Sequence, residues 1–474
     1  MKYFYRFAFV WLFAFMVLAP ASLLAQKWAK VSAGGRFSMA LRADGTIWET
    51  GRSNQGQLGQ GDTMPSNIFI QTGIDNDWSD IAAGEAYCVA LKKDGSLWAW
   101  GDNVQGDLGV DDSSKHYQPV QVGQDRDWVY IASSGYTSFA IKKDGSLWGW
   151  GWGFFGNLAD SDRVDVVNPE RIGGAHTWKK AVGGHAFTIA LRTDGTLWGW
   201  GFNDNGYLGD GTLNNSFVPI QIGQDSDWAD VLSGYNFSIA LKKNGTLWSW
   251  GYNLNGQLGQ GNVTPLRNPT QIGGDKDWAH IYIGALNGFA TKTNGSLWAW
   301  GWNGYGGLGT GNTSEKDAPV RIGLNTDWRM VSGGQGYNLN GFIYGLHTLA
   351  IEGDSSLICV AGQNDFGQLG NGSNTEPNKF DCSVTAGIPG SPIATTYGLS
   401  IYPNPSSDQV HFALPTIQPM SISVLDLSGR QISASPVSLV DNTYQLDISS
   451  WAKGMYLIEV TSKEGLYRAK LVKE

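Results

Sequence analysis

Cysteine and charge are scarce in this chain. It holds three cysteines in 474 residues, and only 16% of its residues are charged. Hydrophobic residues still reach 42%, which is ample for a packed core and excludes disorder as the main state. Basic residues are outnumbered, 33 Lys+Arg against 42 Asp+Glu. That balance speaks against nucleic-acid binding, which needs a basic face to meet phosphate. The six histidines, His116, His176, His185, His280, His347 and His411, are scattered, with no HExxH and no paired spacing. There is no CxxC, no G-x-S-x-G elbow and no GK[ST] ending to any glycine-rich loop. The expectation is therefore no metal, no cofactor and no catalytic group. Glycine lacks the every-third spacing of collagen. After residue 25 no apolar run is long enough to span a membrane.

What is present begins with an address. Residues 1–25 carry Lys2 and Arg6, an apolar core from Phe7 to Leu18, and Leu23-Leu24-Ala25 before a plausible cleavage point. This is the pattern of a secretory signal peptide. An exported chain can form a disulfide, and Cys359 and Cys382 lie in the same repeat, so they are the expected pair. Cys88 falls in a column otherwise filled by Ser38, Ser138, Thr188 and Ser238, and reads as a small buried side chain.

Glycine (65) and tryptophan (22) are abundant. Trp recurs at 28, 78, 128, 178, 228, 278 and 328, always 50 residues apart, and 18 of the 22 occupy repeated columns. Twenty residues after the first Trp comes SLWAWG, SLWGWG, TLWGWG, TLWSWG or SLWAWG in repeats two to six. Repeat one has the weaker TIWETG and repeat seven SLICVAG. Each repeat reads as four strands. Asp-Gly or Asn-Gly at 44–45, 94–95, 144–145, 194–195, 244–245 and 294–295 supplies the positive φ of a type I′ turn. Seven four-stranded units predict an all-β chain, a seven-bladed β-propeller over residues 26–386. The repeated Trp side chains are expected to pack between blades. The D-x-D-W pieces (Asp75/Asp77, Asp125/Asp127, Asp225/Asp227, Asp275/Asp277) read as Asx turns rather than calcium ligands. Asp160-Ser161-Asp162-Arg163-Val164-Asp165 is a marginally better cation candidate. Repeat seven owns a last strand near Phe380 to Val384, so the ring should close by packing of blades one and seven.

The consensus DG-x-LW-x-WG-x-N-x-x-G-x-LG stands as GDNVQGDLG, GFNDNGYLG, GYNLNGQLG, GWNGYGGLG and GQNDFGQLG in its loop segment. It resembles the regulator of chromosome condensation repeat. Repeats one (GRSNQGQLG) and three (GWGFFGNLA) depart slightly. The resemblance implies the propeller, and by family analogy guanine-nucleotide exchange, but exchange sits poorly with an exported chain.

Residues 387–396 form a Gly/Pro/Thr linker, and 397–474 read as a small β-sandwich. Tyr402-Pro403-Asn404-Pro405, Asp426 through Gly429-Arg430, Leu446-Asp447-Ile448, Gly454-Met455-Tyr456 and Lys470 match the type A C-terminal sorting domain of the type IX secretion system in order. That resemblance implies handling by the type IX machinery and a place outside the cell or on the outer-membrane surface.

Loops between strands one and two and between three and four share one face of the ring. The residue after the WG signature is Arg52, Asp102, Trp152, Phe202, Tyr252, Trp302 and Gln363 in order. Phe154, Phe155, Tyr207 and Tyr305 lie in the same loops. Tyr337, Phe342 and Tyr344 lie in a ten-residue insertion of repeat seven. These aromatics form the candidate ligand arc, suited to sugar rings or a protein anchor. The alternative is that they cover seams between blades. The favoured function is a non-enzymatic binding propeller for an extracellular protein or glycan, with nucleotide exchange or a secreted hydrolase or lyase as alternatives.

Overall fold

The computed structural model describes residues 27–174, 176–337, 343–354 and 356–384, and beyond them 395–398, 401–402, 406, 408–412, 421–426, 431–432, 438–440, 443–461 and 465–473. The leader at 1–25 lies outside the described residues, as does the greater part of the linker.

Seven four-stranded antiparallel sheets follow one another along the chain. Blade one pairs Trp28–Ala33, Phe37–Arg42, Ile47–Gly51 and Ser66–Gln71 in sequence order. Blade seven does the same with Trp328–Gly333, His347–Glu352, Ile358–Gly362 and Asp381–Val384. The last strand thus stays in its own blade, and the ring closes by packing of side chains. Trp28, Val31 and Phe69 of blade one share a buried cluster with Leu349, Ile351 and Val384 of blade seven. Ala33 N donates to Ser332 Oγ (3.0 Å) across that seam, and His347 Nε2 lies 2.9 Å from Ser38 Oγ.

The first strand of every blade faces the central channel, whose cavity is about 360 Å³. Its charges pair around the ring: Lys30 with Asp80, and Lys180 with Asp230 at 2.6 Å. The second strand is the spine, buried along nearly its whole length, as in Phe237–Lys242. The second Trp of each LWxWG is wholly buried and reaches back to the preceding blade. Trp150, Trp200, Trp250 and Trp300 donate through Nε1 to the carbonyls of Asp107, Asn157, Tyr207 and Gln257 at 2.8–3.0 Å. Blade one has Thr50 in this column, and its Oγ1 donates to Gly367 O of blade seven (2.9 Å). The expected packing role of the repeated Trp is met.

The hairpins differ from the type I′ expectation. Gly45 is left-handed (φ 88°), whereas Asp44 is not among the positive-φ residues. Gly45 N donates to Arg42 O, and Arg42 N to Thr46 O. This is a three-residue loop, a type I turn closed by a left-handed glycine. The acidic side chain has its own task. Asp44 Oδ1 accepts from Thr46 N and Thr46 Oγ1, and Thr46 Oγ1 accepts from Trp48 Nε1 (2.9 Å). The relay recurs as Asp94–Ser96–Trp98 and in the next four blades. It explains why D/N-G-S/T-L-W is spelled as one unit.

The D-x-D-W carboxylates also differ from expectation. They clamp a lysine at the end of strand two. Lys92 Nζ lies 2.7 Å from Asp75 and 3.1 Å from Asp77, and 4.8 Å from the ring centres of both Trp78 and Trp98. Lys142, Lys242 and Lys292 repeat the arrangement. Two carboxylates so close need a cation between them, so the Asx reading gives way to a salt-bridged cage.

Blade seven replaces that cage. Glu352 stands in the lysine column and Cys359 in the outer Trp column. Cys359 is joined to Cys382 by the expected disulfide. Cys88 is buried as expected, but with a partner: its thiol lies 3.1 Å from the wholly buried carboxyl of Glu49.

In the C-terminal part, a five-stranded and a four-stranded sheet contribute to one buried cluster, which includes Val410, Phe412, Val424, Leu446, Ile458 and Leu471. Of the sorting-motif residues, Tyr402 ends strand Ile401–Tyr402 and Gly454 begins Gly454–Thr461. Pro403, Asn404, Pro405 and Gly429 lie outside the described residues.

Candidate functional site on the loop face

Alternating strand direction sends all seven strand-three to strand-four loops to one side of the ring, together with the strand-one to strand-two turns. Five of the seven loops are built alike, and Ser53 and Gly153 stand in the same position in blades one and three. In blade two, Asn103 Oδ1 accepts from Leu108 N and Asn103 Nδ2 donates to Asp112 O, so the asparagine of the repeat ties both ends of the loop. A rigid frame then presents variable side chains.

Four expected residues meet in blades three and four. Trp152 stacks parallel to Phe154 (6.3 Å, 9°), and Phe155 sits edge-on to both Trp152 and Phe202 (each 4.8 Å). Trp152 is 9% exposed, whereas Phe154 at the loop tip is 56% exposed. Trp152 is therefore the floor of the cluster and Phe154 its outer surface. Trp302 and Tyr305 form a second pair (5.4 Å), with Tyr305 exposed. Tyr252 is half-buried against the core of blades four and five. Tyr207 turns inward, stacks on Phe187 (5.4 Å) and accepts from Asn205 Nδ2 through its hydroxyl, so it is a packing residue. Tyr337 and Tyr344 belong to a short hairpin of the blade-seven insertion, Gly336–Tyr337 pairing with Ile343–Tyr344. Their side chains, and Phe342 altogether, lie outside the described residues.

Three members of the cluster come from the strand-one to strand-two turns, which sequence reasoning passed over. Tyr136 is edge-on to Trp152 (6.1 Å), His185 lies against Trp152 (5.6 Å) and Phe155 (5.3 Å), and Tyr235 stacks on His185 (4.7 Å, 27°). Tyr235 also packs on the group that includes Leu286, Leu346 and Trp302, so it links the two aromatic groups. For His185 and Tyr235 the signal was available as the column Gly35, Glu85, Gly135, His185, Tyr235, Ala285, Gln335, fifty residues apart, and Tyr136 stands in the next column. Burial holds the His185 imidazole down to about 4, neutral at physiological pH.

Beside the aromatics, blades two and three are acidic. The seven strand-three to strand-four loops hold thirteen carboxylates against four basic side chains, and seven of the thirteen fall in these two blades. Burial raises Asp102 and Asp165 above the usual carboxylate range. The carboxyl oxygens of Asp160, Asp162 and Asp165 do not converge on one point. Among the described residues, the one place where three potential metal ligands approach within 4.8 Å is Glu352 beside Cys359 and Cys382, and those sulfurs are joined to each other.

Residues 16–276 match the family model for the RCC1-like domain, and residues 294–339 that for the regulator of chromosome condensation repeat. The chain belongs to the RCC1-like domain family. Residues 400–474 match the secretion system C-terminal sorting domain, which marks the chain for export to the cell surface or extracellular space. No curated protein matches the chain. Among solved structures, human WBSCR16 superposes with a TM-score of 0.60 at 21% identity, over 66% of this chain and 85% of its own. Prp20p of Saccharomyces cerevisiae superposes with a TM-score of 0.62 at 17% identity, over 78% of this chain and 89% of its own. At such identities the likeness shows the fold alone.

Proposed function

We propose that this chain is an exported, non-enzymatic binding propeller whose loop face captures a protein or glycan outside the cell. The sorting tail supports the address. The observation that carries the binding reading is the placement of exposed apolar side chains. Eight large hydrophobic side chains are exposed on the strand-three to strand-four loops, among them Val104, Phe154 and Leu254 at the loop tips of blades two, three and five. Solvent-facing apolar tips around a packed aromatic floor are what an interface needs. Prp20p, which has this fold, is described as binding Gsp1p and histones; the proposal here rests on the loop face itself.

The test exposes the purified chain to protein and glycan arrays, and in parallel to chromogenic hydrolase substrates. Capture that is lost on Phe154→Ala with Tyr305→Ala, at unchanged melting temperature, is the expected result. Turnover without stable capture would overturn the proposal in favour of an enzyme.

A further inference from the structure

The hairpin face holds six cations over Trp rings, and two of them differ from the rest. In blades two, three, five and six the residue across from the first Trp is lysine: Lys92, Lys142, Lys242 and Lys292. Each of these blades brings the Asp pair of its D-x-D-W link to that lysine. In blades one and four the same position is arginine. Arg42 lies over Trp28 (4.9 Å) and Trp48 (4.3 Å), and Arg192 over Trp178 (5.0 Å) and Trp198 (3.5 Å). The links of these two blades carry no acid. Lys27 and Thr177 stand where the lysine blades have Asp77, Asp127, Asp227 and Asp277, and alanine stands in the column of the first Asp.

Both arginines are left short of partners. Their Nε atoms are buried and close no hydrogen bond. Burial lowers the pKa of each guanidinium, against the charge of Asp44 for Arg42 and of Asp194 for Arg192. Those hairpin acids do not stand in for the missing pair. Each gives Oδ1 to a threonine, Thr46 or Thr196, and blades two and three keep Asp94 and Asp144 at that corner in addition to their link pair. His176, the middle residue of the blade-four link, lies over Trp198 (6.1 Å, 26°) and brings no negative charge. Residue type and acid pair thus change together. A lysine point charge suits oxygens from two separate carboxylates, whereas a guanidinium offers a planar fork to one.

We propose that the arginine cages of blades one and four are carboxylate sites, which take acidic side chains of a partner polypeptide in the place that four other blades fill with their own Asp-x-Asp. Those four blades show the ligand chemistry inside the same molecule: carboxylates on a short link, set against a cation that rests on two Trp rings. Rings behind the guanidinium hold it in place and keep water from one side, which strengthens its charge-assisted bonds to an incoming carboxylate. The two sites lie on the face opposite the aromatic cluster, so this proposal is independent of the loop-face reading.

The test labels the arginines of the full chain with nitrogen-15 and follows their Nε–H signals. Arg42→Lys and Arg192→Lys, which restore the residue of the other blades, assign the two signals. The probe is the peptide Gly-Gln-Asp-Ser-Asp, the sequence of residues 223–227, beside Gly-Gln-Asn-Ser-Asn. The expected result is that the Arg42 and Arg192 signals move and saturate with the Asp peptide, less so in high salt, and stay still with the Asn peptide. Lys27→Asp and Thr177→Asp put an acid back into each link. Each should weaken the peptide's hold on its own arginine about tenfold or more, by placing the chain's own carboxylate there, and leave the other cage unchanged. Thermal melts check that both variants are folded. Arg42 and Arg192 signals that ignore the Asp peptide would overturn the proposal and reduce these arginines to ring-stacked packing groups. So would equal shifts with the Asn peptide, or titrations unaltered by the restored acids.

Discussion

The two faces of this ring solve opposite problems with the same repeat. On the hairpin face, most repeats turn their polar groups on themselves, with the hydroxyl relay built in six blades and the lysine cage in four. Aspartate holds threonine or serine, that hydroxyl holds a Trp indole, and two more aspartates hold a lysine between two Trp rings. On the loop face the asparagine frame repeats, but the side chains it presents change from blade to blade. A surface whose groups already satisfy one another has little to offer a partner. A surface with exposed apolar tips has much.

The largest effects should fall on the seams beneath both faces. Trp200 is wholly buried and bonded to Asn157 O of the preceding blade. Trp200→Ala should cost about 3–5 kcal/mol, as large aromatic deletions do, while Phe154→Ala on the loop face should cost under about 0.5 kcal/mol. Denaturant melts of the two variants measure the contrast. Equal losses would break it.

Next in size is a polar group inside a seam. Glu49 replaces the Ala, Gly, Ser or Val of other blades, and burial pushes its carboxyl up to about 8, against hydrogen bonds from Thr72, Cys88 and Trp100. The unfolded chain loses this proton in the ordinary carboxylate range, while the folded chain keeps it until near pH 8. Stability is therefore greatest below the unfolded value and falls as pH rises toward 8. Glu49→Gln should stabilise the chain at pH 7 by on the order of 3 kcal/mol and flatten the pH profile between 5 and 8. A melt series across that range decides it.

The smallest effect sharpens the hairpin side. Lys242 is 8% exposed and meets Asp225 and Asp227 at 2.7 and 3.0 Å. Lys242→Met keeps the packing but leaves two carboxylates facing each other. A loss of about 1–2 kcal/mol, shrinking in high salt, is expected. Chemical denaturation at two salt concentrations measures it.

Period, blade count, strand order and ring closure were legible because they depend on residues repeated at fixed spacing. The column Trp100, Trp150, Trp200, Trp250, Trp300 announces a seam that every blade must build. Side-chain partnerships were less legible. Asp75 and Asp77 sit close together in sequence and invite a local Asx reading, yet their partner Lys92 is seventeen residues from Asp75. The aromatic site was half visible. Trp152, Phe154, Phe155 and Phe202 stand in the strand-three to strand-four loops of adjacent blades, but His185 and Tyr235 enter from another turn and join only when neighbouring blades are brought side by side. Tyr207 shares a loop with Phe202 and still points inward, because loop position alone does not fix side-chain direction.

The ordering of strands in blade seven has a kinetic consequence. Every blade pairs its four strands in chain order, with only the short Gly336–Tyr337 and Ile343–Tyr344 hairpin intervening in blade seven, so each blade can be completed from local contacts soon after its residues emerge. The seam between blades seven and one is the exception, joining Ser38 to His347 across 309 positions and Ala33 to Ser332 across 299. Loop closure over such a span is slow and comes last. The chain should thus pass through an open arc of finished blades, with two unsatisfied apolar faces, before it becomes a ring.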